Sequence, residues 1–359
     1  MKVLFLPVNV ASIQAISVKA INHHTGSEAR YISITESKFH EHNKYGISLY
    51  KRFTKIVLLD KLLRFVWRRL FYRSEIKKWI RWADVLHYSW MPAIKGGVDL
   101  AYAAKLGKPI FVEWVGSEIR DPEILSTINP YYKAVFTKGY EYQQVESKSN
   151  SVAMQNLFAK YGAIPLAWPE IMLFINKTKF KTVLPVMQRV EVRSFQPQYP
   201  LINNKRPLIV HTPSALVAKG TSHIIAAIEA LKDKYEFDFK IVHDMSHADT
   251  IRQIESCDIF IDQLIIGSYG IASLEALSLG KPVICYLMDE LYHNGLPADC
   301  PIVNANVNTL KEQLIRLLND AELRNEIGRK SRSYAEKYHD AEKIAIHLLD
   351  VYKQYGYLN

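Results

Sequence analysis

Short apolar runs alternate with helical patterns along this chain, and the alternation starts again after residue 200. In the first half, Val3–Pro7, Asp84–His87 and Pro109–Trp114 are expected to be strands, and 97–106 a helix. Val183–Val192 is the best strand candidate in the less regular stretch that follows. Regular alternation of strands and helices is the signature of parallel α/β folds.

The second half repeats this pattern more clearly. Strands are expected at Pro207–His211, Phe239–Val242, Ile259–Asp262 and Pro282–Tyr286. Helices are expected at Thr221–Lys232, Ala248–Ser256, 270–279 and 340–354. We therefore predict an α/β protein with two Rossmann-like, doubly wound parallel sheets, at 1–195 and 206–339. The boundary is placed in the Pro- and Asn-rich stretch 196–205.

Length and composition exclude several classes of protein. The chain has 359 residues, which suits two domains, and it is 48% hydrophobic and 23% charged, as soluble globular proteins are. No apolar run reaches the roughly 18–20 residues that span a bilayer. The first ten residues are interpreted as a buried strand, not a signal peptide. Three cysteines without CxxC spacing argue against a disulfide framework or a zinc site, and favour a reducing cytoplasm.

The segment 262–284 is the part of the sequence that most clearly indicates a ligand-binding site. It reads as a strand, a glycine-containing loop, a helix, a Gly-Lys-Pro turn and a second strand. In an open α/β sheet such a loop lies at the carboxyl end of a strand, where ligands bind. A helix beginning near Gly270 presents unpaired N–H groups and a partial positive charge, which suit a diphosphate. Glu275 falls about one turn into this helix, within reach of a ribose diol; the alternative is an ordinary surface acid.

This segment resembles the donor-binding motif of the family 4 GT-B glycosyltransferases, in which a Glu, seven residues and a second Glu precede an Ala-rich run. The second Glu, which holds the nucleotide ribose, matches Glu275. The first, which contacts the donor sugar, would fall at Gly267 and is missing. Ser268, Tyr269 or Asp262 are then expected to take over part of its role.

A second resemblance surrounds Lys219. In these transferases a basic residue just before a Gly, after the first strand of the C-terminal domain, binds the donor diphosphate. Lys219 matches it, and Gly220 opens the helix behind it, although the second phosphate-binding Arg of the family is absent. A solvated loop lysine is the alternative. A branch of bacterial polysaccharide-synthesis transferases looks closer, and its motifs match His211, Ser214, Asp262 and Gln263.

The N-terminal half matches more loosely. Residues 113–120 resemble a His-Gly-Ser-Asp-Ile-Arg run of the family, but the cleft His is Val115 here. Ser117, Glu118 and Arg120 keep the residue type and are expected to face the acceptor or the donor. A loop-capping or surface role is the alternative for each of them.

The resemblance implies a GT-B architecture with an acceptor-binding N-terminal domain, a nucleotide-sugar-binding C-terminal domain, and a last helix, 340–359, that packs back on the first. It implies sugar transfer with retention of configuration from a UDP- or GDP-linked donor to a saccharide or lipid-linked acceptor, with no metal and no cofactor. Lys219, Glu275 and Glu118 are the expected catalytic residues. The expected donor-binding residues are His211, Ser214, Lys219, Gly220, Asp262, Gln263, Ser268, Tyr269, Gly270, Ile271 and Glu275. The alternatives are a sugar-nucleotide epimerase or hydrolase and a non-catalytic partner subunit.

Net charge is concentrated in one segment. Residues 51–82 hold eleven Lys or Arg and two acids, which accounts for nine of the ten excess positive charges. Leu59, Leu63, Val66 and Leu70 recur at helical spacing beside a cationic stripe with aromatic residues. This is the composition of an interfacial membrane helix, and anionic lipids attract each Lys or Arg by about 1 kcal/mol. We therefore expect a peripheral location on the inner face of the plasma membrane; a helix with a solvated basic side is the alternative. No nucleic-acid motif accompanies the charge.

Overall fold

The computed structural model describes residues 1–34, 44–50, 53–67 and 71–356. Its first β-sheet is built from β1 (Lys2–Pro7), β2 (Glu28–Ser33), β3 (Gly46–Ser48), β4 (Val85–Ser89), β5 (Ile110–Glu113), β6 (Ile164–Ala167) and β7 (Leu184–Pro185). Across the sheet the order is β3-β2-β1-β4-β5-β6-β7, and every pairing is parallel. β1 therefore lies inside the sheet, at the point where the strand order reverses direction.

The second sheet contains β8 (Leu208–His211), β9 (Asp238–Ile241), β10 (Ile259–Ile261), β11 (Val283–Cys285) and β12 (Val303–Asn304). Its order is β12-β11-β10-β8-β9, again parallel throughout. The predicted fold class, two doubly wound parallel sheets, is therefore confirmed. β8 and β10 are neighbours, so the loops after both strands meet at one edge of the sheet.

Helices connect the strands. Those of the first half are α1 (Ile13–His24), α2 (Val57–Trp67), α3 (Arg73–Trp82), α4 (Val98–Lys105), α5 (Pro122–Ile128), α6 (Pro130–Lys138) and α7 (Lys148–Lys160). Those of the second half are α8 (Leu216–Lys219), α9 (Thr221–Glu229), α10 (His247–Ser256), α11 (Ile271–Ser278), α12 (Asp289–His293), α13 (Leu310–Asn319), α14 (Ala321–Tyr338) and α15 (Ala341–Tyr355).

Several helices begin at side chains that cap them. Asp121 and Asn129 accept hydrogen bonds from the first turns of α5 and α6, and a proline follows each of them at the first helical position. Ser147, Asp320 and Asp340 cap α7, α14 and α15 in the same way. These short polar residues satisfy backbone N–H groups that have no partner inside the helix.

The last helix packs on the first sheet. Leu348 and Tyr352 of α15 are fully buried in one cluster with Val3 and Phe5 of β1 and Val18 of α1. Strands that are covered on both faces read as continuous apolar runs, which is why β1 was recognisable from its sequence.

The connection between the sheets differs from its expected form. A strand over Val183–Val192 was predicted, but only Leu184–Pro185 is a strand. Val190 instead forms an isolated bridge with Asp340, just before α15, and Val192 begins a single 3₁₀ turn. Beyond β7 the apolar residues are buried by packing and not by strand pairing: Val186 lies in one cluster with Leu348 of α15, and Val190 and Val192 lie in a second cluster.

A buried ionic network ties this connection to the first sheet. Arg189 donates to both carboxylate oxygens of Glu113 at 2.7 Å, and its Nε donates to Ser17 Oγ at 2.6 Å. His87 lies 3.1 Å from Glu113 through Nε2, and its Nδ1 accepts from the Tyr352 hydroxyl at 2.6 Å. Burial raises the pKa of Glu113, but Arg189 and His87 outweigh it and bring that pKa to about 2. The network joins β4, β5, α1, α15 and the connection.

Replacing Arg189 with Met is expected to lower the free energy of unfolding by about 3–5 kcal/mol, because it leaves the Glu113 carboxylate buried without its cation. Denaturant titration at pH 7 measures the loss. Arg193→Met is the matched control: Arg193 is exposed and pairs with Glu342 at 2.7 Å, so its loss should cost under about 1 kcal/mol. Equal effects of the two substitutions would contradict a structural role for the network.

Candidate functional site

A cleft lies between the two sheets and contains a cavity of about 550 Å³. Ala11, in the loop after β1, forms the wall on the side of the first sheet. The opposite wall comes from the loops after β8 and β9 and from α10 and α11, and includes Lys219, His247, Ile271 and Glu275. A concave site at the carboxyl ends of parallel strands is where open α/β folds bind ligands.

The loop after β1 has an unusual backbone. Ala11 and Ser12 have φ angles of 45° and 61°, in the left-handed region that side chains other than glycine seldom adopt. The Asn9 side chain supports the loop by accepting from the N–H groups of Gln14 and Ala15, both at 3.1 Å. Such backbone persists only where surrounding contacts hold it, and it brings Ala11 against the cavity.

Lys219, the last residue of α8, forms an ion pair with Asp262, which follows β10. The Lys219 side chain is 13% exposed and that of Asp262 is 2% exposed. Burial lowers the pKa of Lys219 and raises that of Asp262, but the opposite charge outweighs it in both, so the pKa of Lys219 is raised and that of Asp262 lowered. Both groups are therefore charged at neutral pH.

Asp262 also binds the first turn of α11. It accepts from the Gly270 N–H at 3.3 Å and from the Ser273 hydroxyl at 2.6 Å. The two donors that the sequence assigned to a diphosphate, the Lys219 ammonium and the start of α11, thus lie together and share one carboxylate. An anionic ligand here has to share these donors with Asp262 or displace it.

Glu275 lines the cavity from the middle of α11. His247, the first residue of α10, donates from Nε2 to Glu275 Oε1 at 2.6 Å, and this hydrogen bond raises the pKa of His247 against the effect of burial. The carboxylate expected at a ribose is therefore at the cavity wall, and it already has an imidazole partner. His247 was not predicted as a donor-site residue: its spacing of four residues from His243 suggested only a zinc pair, which the loop between them argues against.

His211 lies behind the cavity and not in it. Its Nδ1 donates to the Ile261 carbonyl at 2.8 Å, and its Nε2 accepts from the Thr221 hydroxyl at 2.9 Å. Burial lowers the pKa of His211 to about 4, so the ring is neutral at pH 7. Both ring nitrogens are engaged, and His211 ties β8 to β10 and α9. In this structure His211 supports the wall of the cavity, and its direct contact with a donor stays a prediction.

Ser214 and Gly220 bracket α8. Ser214 is exposed and lines the cavity. Gly220 has a φ of 75°, and a Cβ there would stand 3.1 Å from Ile265 Cγ1. A glycine is therefore required for α8 to end and α9 to begin so close to the loop after β10.

The loop after β10 is held by its own contacts. The Gln263 amide donates to the Ser268 carbonyl, and both residues are buried. The Tyr269 hydroxyl lies 3.1 Å from His339 Nε2 and 3.3 Å from the Tyr334 hydroxyl. The side chains of Gln263, Ser268 and Tyr269, which were expected to contact the donor, do not line this cavity. Those of Gln263 and Tyr269 are hydrogen-bonded inside the protein, and the buried Ser268 hydroxyl has no hydrogen-bond partner among the described residues.

A glycine stands at position 267, where the motif has its first Glu. Its φ is 86°, and a Cβ at this position would clash with the Met288 side chain and stand 3.0 Å from Asn129 Nδ2. The Met288 side chain, with Asn129 of the first domain beside it, and the left-handed backbone therefore leave no room for a side chain here. The departure from the family pattern has a steric cause that the sequence did not reveal.

Two first-domain residues reach across the cleft, and neither was predicted. Asn129 donates to the carbonyls of Ile265 and Ile266 at 2.8 and 3.1 Å while its oxygen caps α6. Glu141 accepts from the backbone N–H groups of Val217 and Ala218 at 2.8 and 3.1 Å. Glu141 thus places a negative charge at the start of α8, the helix that carries Lys219.

Glu118 lies in the loop after β5, at the carboxyl edge of the first sheet. The Val115 N–H donates to its Oε1 at 2.6 Å, and its buried Oε2 has no hydrogen-bond partner among the described residues. Burial raises the pKa of Glu118 to about 7. A carboxyl group that titrates near neutrality at this edge is suited to binding a hydroxyl or exchanging a proton.

Arg120, expected to face a substrate, is buried in an ionic cluster. It forms ion pairs with Glu146 and Glu170. Glu146 also accepts from the Tyr132 hydroxyl at 2.7 Å. Two carboxylates surround this one guanidinium, so Arg120 holds the loop that carries Glu118 and is not available to a ligand.

Across 1–34, 44–50, 53–67 and 71–356, no three His, Cys, Asp or Glu residues stand close enough together to hold a metal ion. His243 pairs with the neighbouring Asp244 at 2.8 Å, while His247 pairs with Glu275. His243 and His247 therefore pair with different acids and are not arranged as two ligands of one metal ion.

Comparison with solved structures identifies the architecture. Sucrose-phosphate synthase from Thermosynechococcus elongatus superposes with a TM-score of 0.61 at 13% identity, over 99% of this chain and 98% of that one. WaaG, a glycosyltransferase of lipopolysaccharide biosynthesis, gives 0.58 at 13% identity, over 98% and 99%. Anabaena Alr3699/HepE, solved with UDP and glucose, gives 0.61 at 12% identity, over 99% and 100%. The predicted GT-B architecture is confirmed; membership of family 4 stays a prediction.

Sequence comparison finds likeness over a smaller part of the chain. No known protein-family profile matches the chain. The uncharacterized glycosyltransferase MJ1178 of Methanocaldococcus jannaschii is 24% identical over 157 residues, 35% of this chain and 43% of that protein. The match thus spans less than half of the relative's length.

Glu118→Gln is expected to change how stability depends on pH. The folded-state pKa of about 7 stands above the ordinary 4.5, so ionisation destabilises the fold increasingly from pH 4.5 to 7. The variant cannot ionise, and its free energy of unfolding should exceed that of the wild type by about 3 kcal/mol at pH 8 and match it at pH 4. Denaturant titrations at both pH values measure this.

Glu123→Gln is the control for Glu118→Gln, since Glu123 is exposed and pairs with Lys148 at 2.6 Å. Its stability should follow the wild type at both pH values. A Glu118→Gln profile parallel to that of the wild type would contradict the raised pKa.

Proposed function

We propose that this protein is a glycosyltransferase that moves a sugar from a UDP-linked donor to a saccharide or lipid-linked acceptor in surface polysaccharide or glycolipid synthesis. The observation that carries the proposal is the cavity where Lys219, the start of α11 and Glu275 meet between two parallel sheets. Proteins of the same architecture have been solved with UDP and with UDP-glucose. GDP is the alternative nucleotide.

The cavity wall suggests how the donor lies. A diphosphate near Lys219 and α11 would receive a cation and backbone N–H groups, the groups that Asp262 now holds. A ribose placed at Glu275 would donate hydrogen bonds from its hydroxyls to the carboxylate, in place of the bond from His247. The base would then extend to the remaining wall, which Val242, His243 and Met245 form.

The proposed reaction breaks the bond between the sugar C1 and the diphosphate oxygen, and forms a bond from C1 to an acceptor hydroxyl oxygen. The hydroxyl proton passes to the departing diphosphate. Lys219 and the start of α11 stabilise the charge that develops on this leaving group, which is electrostatic work. Retention of configuration is part of the proposal. Glu118, at the carboxyl edge of the first sheet, is proposed to bind the acceptor.

The donor site is tested by calorimetric titration of UDP, GDP and ADP. UDP is expected to bind, and Lys219→Ala and Glu275→Ala should each weaken binding by about tenfold to a hundredfold, since each removes a charge-assisted hydrogen bond. Lys240→Ala and Glu229→Ala are matched controls in the same domain, because both residues are exposed and outside the cavity. Unchanged binding in the first two variants would refute this donor site.

Product analysis separates the transferase from its rivals. Acceptor-dependent release of UDP supports transfer, whereas release or epimerisation of the donor sugar without acceptor supports a hydrolase or epimerase. Absence of nucleotide binding by the wild type would favour a non-catalytic subunit.

We further propose that the protein docks on an anionic membrane through α2 and α3. Most apolar residues of α2 are not core, although Trp67 packs against the core. Leu58 is 81% exposed, and the exposed set in and just before α2 is Ile56, Val57, Leu58, Leu59, Leu62, Leu63, Phe65 and Val66. A large exposed apolar patch marks an interaction surface. Five residues of the basic segment, Lys51, Arg52, Arg68, Arg69 and Leu70, lie outside the described residues. No helix within the described ranges is long and apolar enough to cross a bilayer.

The charges beside this patch favour anionic lipid. Asp60 is the acid of α2, and it is buried: it accepts from the Phe53 N–H at 2.7 Å and pairs with Arg64 at 2.7 Å. Lys61 of α2 and Lys77 of α3 take part in no ion pair with a described acid. The surface around the exposed leucines is therefore positive, as an interfacial helix requires.

Leu58→Glu with Leu62→Glu is expected to abolish flotation with vesicles of phosphatidylcholine and phosphatidylglycerol, because it puts charge into the apolar face. Wild type should bind these vesicles more tightly than pure phosphatidylcholine, and less tightly at high salt. Ile346→Glu, a half-exposed apolar residue of α15, is the control and should bind as the wild type does. Undiminished binding by the double variant would reject α2 as the docking surface.

A further inference from the structure

A second cavity, of about 730 Å³, opens beside α2 on the first domain. Ile34, Leu49, Phe65, Tyr72 and Ile94 form an apolar lining. Phe65 belongs both to this lining and to the exposed apolar face of α2, where it is 62% exposed. The cavity is therefore continuous with the proposed membrane-docking surface.

The cavity lies at the edge of the sheet that faces the donor site. Ile34 follows β2, Leu49 follows β3, and Ile94 lies in the loop after β4. β1 runs between β2 and β4, and its own loop carries Ala11 to the donor cavity. Neighbouring strands are about 5 Å apart, so the two cavities open from adjacent strands of the same edge.

Two cations stand at this cavity, Arg73 at the start of α3 and Lys95 after β4. Neither forms an ion pair with an acid of the described residues. The acids close to them are engaged: Asp99 is buried and accepts from the N–H groups of Ala93 and Ile94 at 2.7 and 3.1 Å, and Glu75 pairs with Lys78 at 3.4 Å. Among the described residues, the positive charge at the opening of this cavity therefore has no acidic partner.

We propose that this cavity binds the phosphate and the adjoining hydrocarbon of a lipid acceptor, in which a phosphate joins the chain to the group that receives the sugar. Arg73 and Lys95 hold the phosphate, because guanidinium and ammonium groups bind phosphate oxygens by charge-assisted hydrogen bonds. Phe65, Leu49 and Ile94 cover the first part of the chain, and the remainder continues along α2 into the bilayer. The inference rests on the proposed function and names its acceptor class.

The test uses decyl phosphate, below its micelle concentration, titrated calorimetrically into the full chain. One saturable site is expected, and inorganic phosphate and decanol should each bind at least about tenfold more weakly, since each supplies half of the recognised chemistry. Inorganic phosphate that binds as tightly as decyl phosphate would overturn the inference, and so would decanol that does.

Paired variants locate the site. Arg73→Ala with Lys95→Ala should weaken decyl phosphate binding by about tenfold or more, and Phe65→Ala should weaken it too. Lys78→Ala with Lys105→Ala is the matched control, since these cations lie in the same domain outside the cavity. Arg73, Lys95, Lys78 and Lys105 are exposed cations, and thermal unfolding verifies the fold of every variant.

UDP titration of the same preparations separates the two proposals. If UDP binds normally but decyl phosphate does not bind, only the acceptor cavity is refuted. The same holds if UDP binds normally and decyl phosphate binds equally to the wild type and to the Arg73, Lys95 variant. Loss of UDP binding by the wild type would instead refute the donor site on which the proposed function depends.

Discussion

The pair of Arg189 and Glu113 is the interaction on which the arrangement of this protein depends. It anchors the connection between the two sheets at the carboxyl end of β5, and His87 and Tyr352 extend it to α15. A guanidinium with two parallel hydrogen bonds to a carboxylate fixes orientation as well as distance. The connection and the last helix are thereby held against the first sheet, and the second sheet faces it across the cleft.

Within that cleft a single carboxylate organises the donor side. Asp262 gathers the Lys219 ammonium, the Gly270 N–H and the Ser273 hydroxyl. Buried charges are tolerated only when paired and hydrogen-bonded, and Asp262 supplies the negative charge for the groups that we propose to bind the diphosphate. Glu141 does the same for the start of α8 from the other domain. Donor binding, as proposed, is therefore an exchange of one anion for another.

The apolar and cationic surface of the first domain complements this donor side. α2 exposes its leucines, its acid Asp60 is buried, and the cavity beside it opens at the same sheet edge as the donor cavity. An acceptor drawn from a membrane, as proposed, would reach the donor without leaving the protein surface. The positive charge concentrated in 51–82 then serves the proposed membrane contact, and the rest of the chain is nearly neutral.

The amino-acid sequence by itself determined the two parallel sheets, the loops at their carboxyl ends and the place of Lys219 and Glu275, because buried strands and glycine-bounded helices leave local patterns. It did not determine which polar residues line the cleft. His211 and Tyr269 proved to be engaged in the core, and His247, Asn129 and Glu141 entered the cleft without a sequence signal. Those roles come from contacts between residues far apart in the chain. The contacts of His211, Tyr269 and His247 lie within the second domain, and those of Asn129 and Glu141 join the two domains. Local sequence patterns carry no information on such contacts, and tertiary packing decides them.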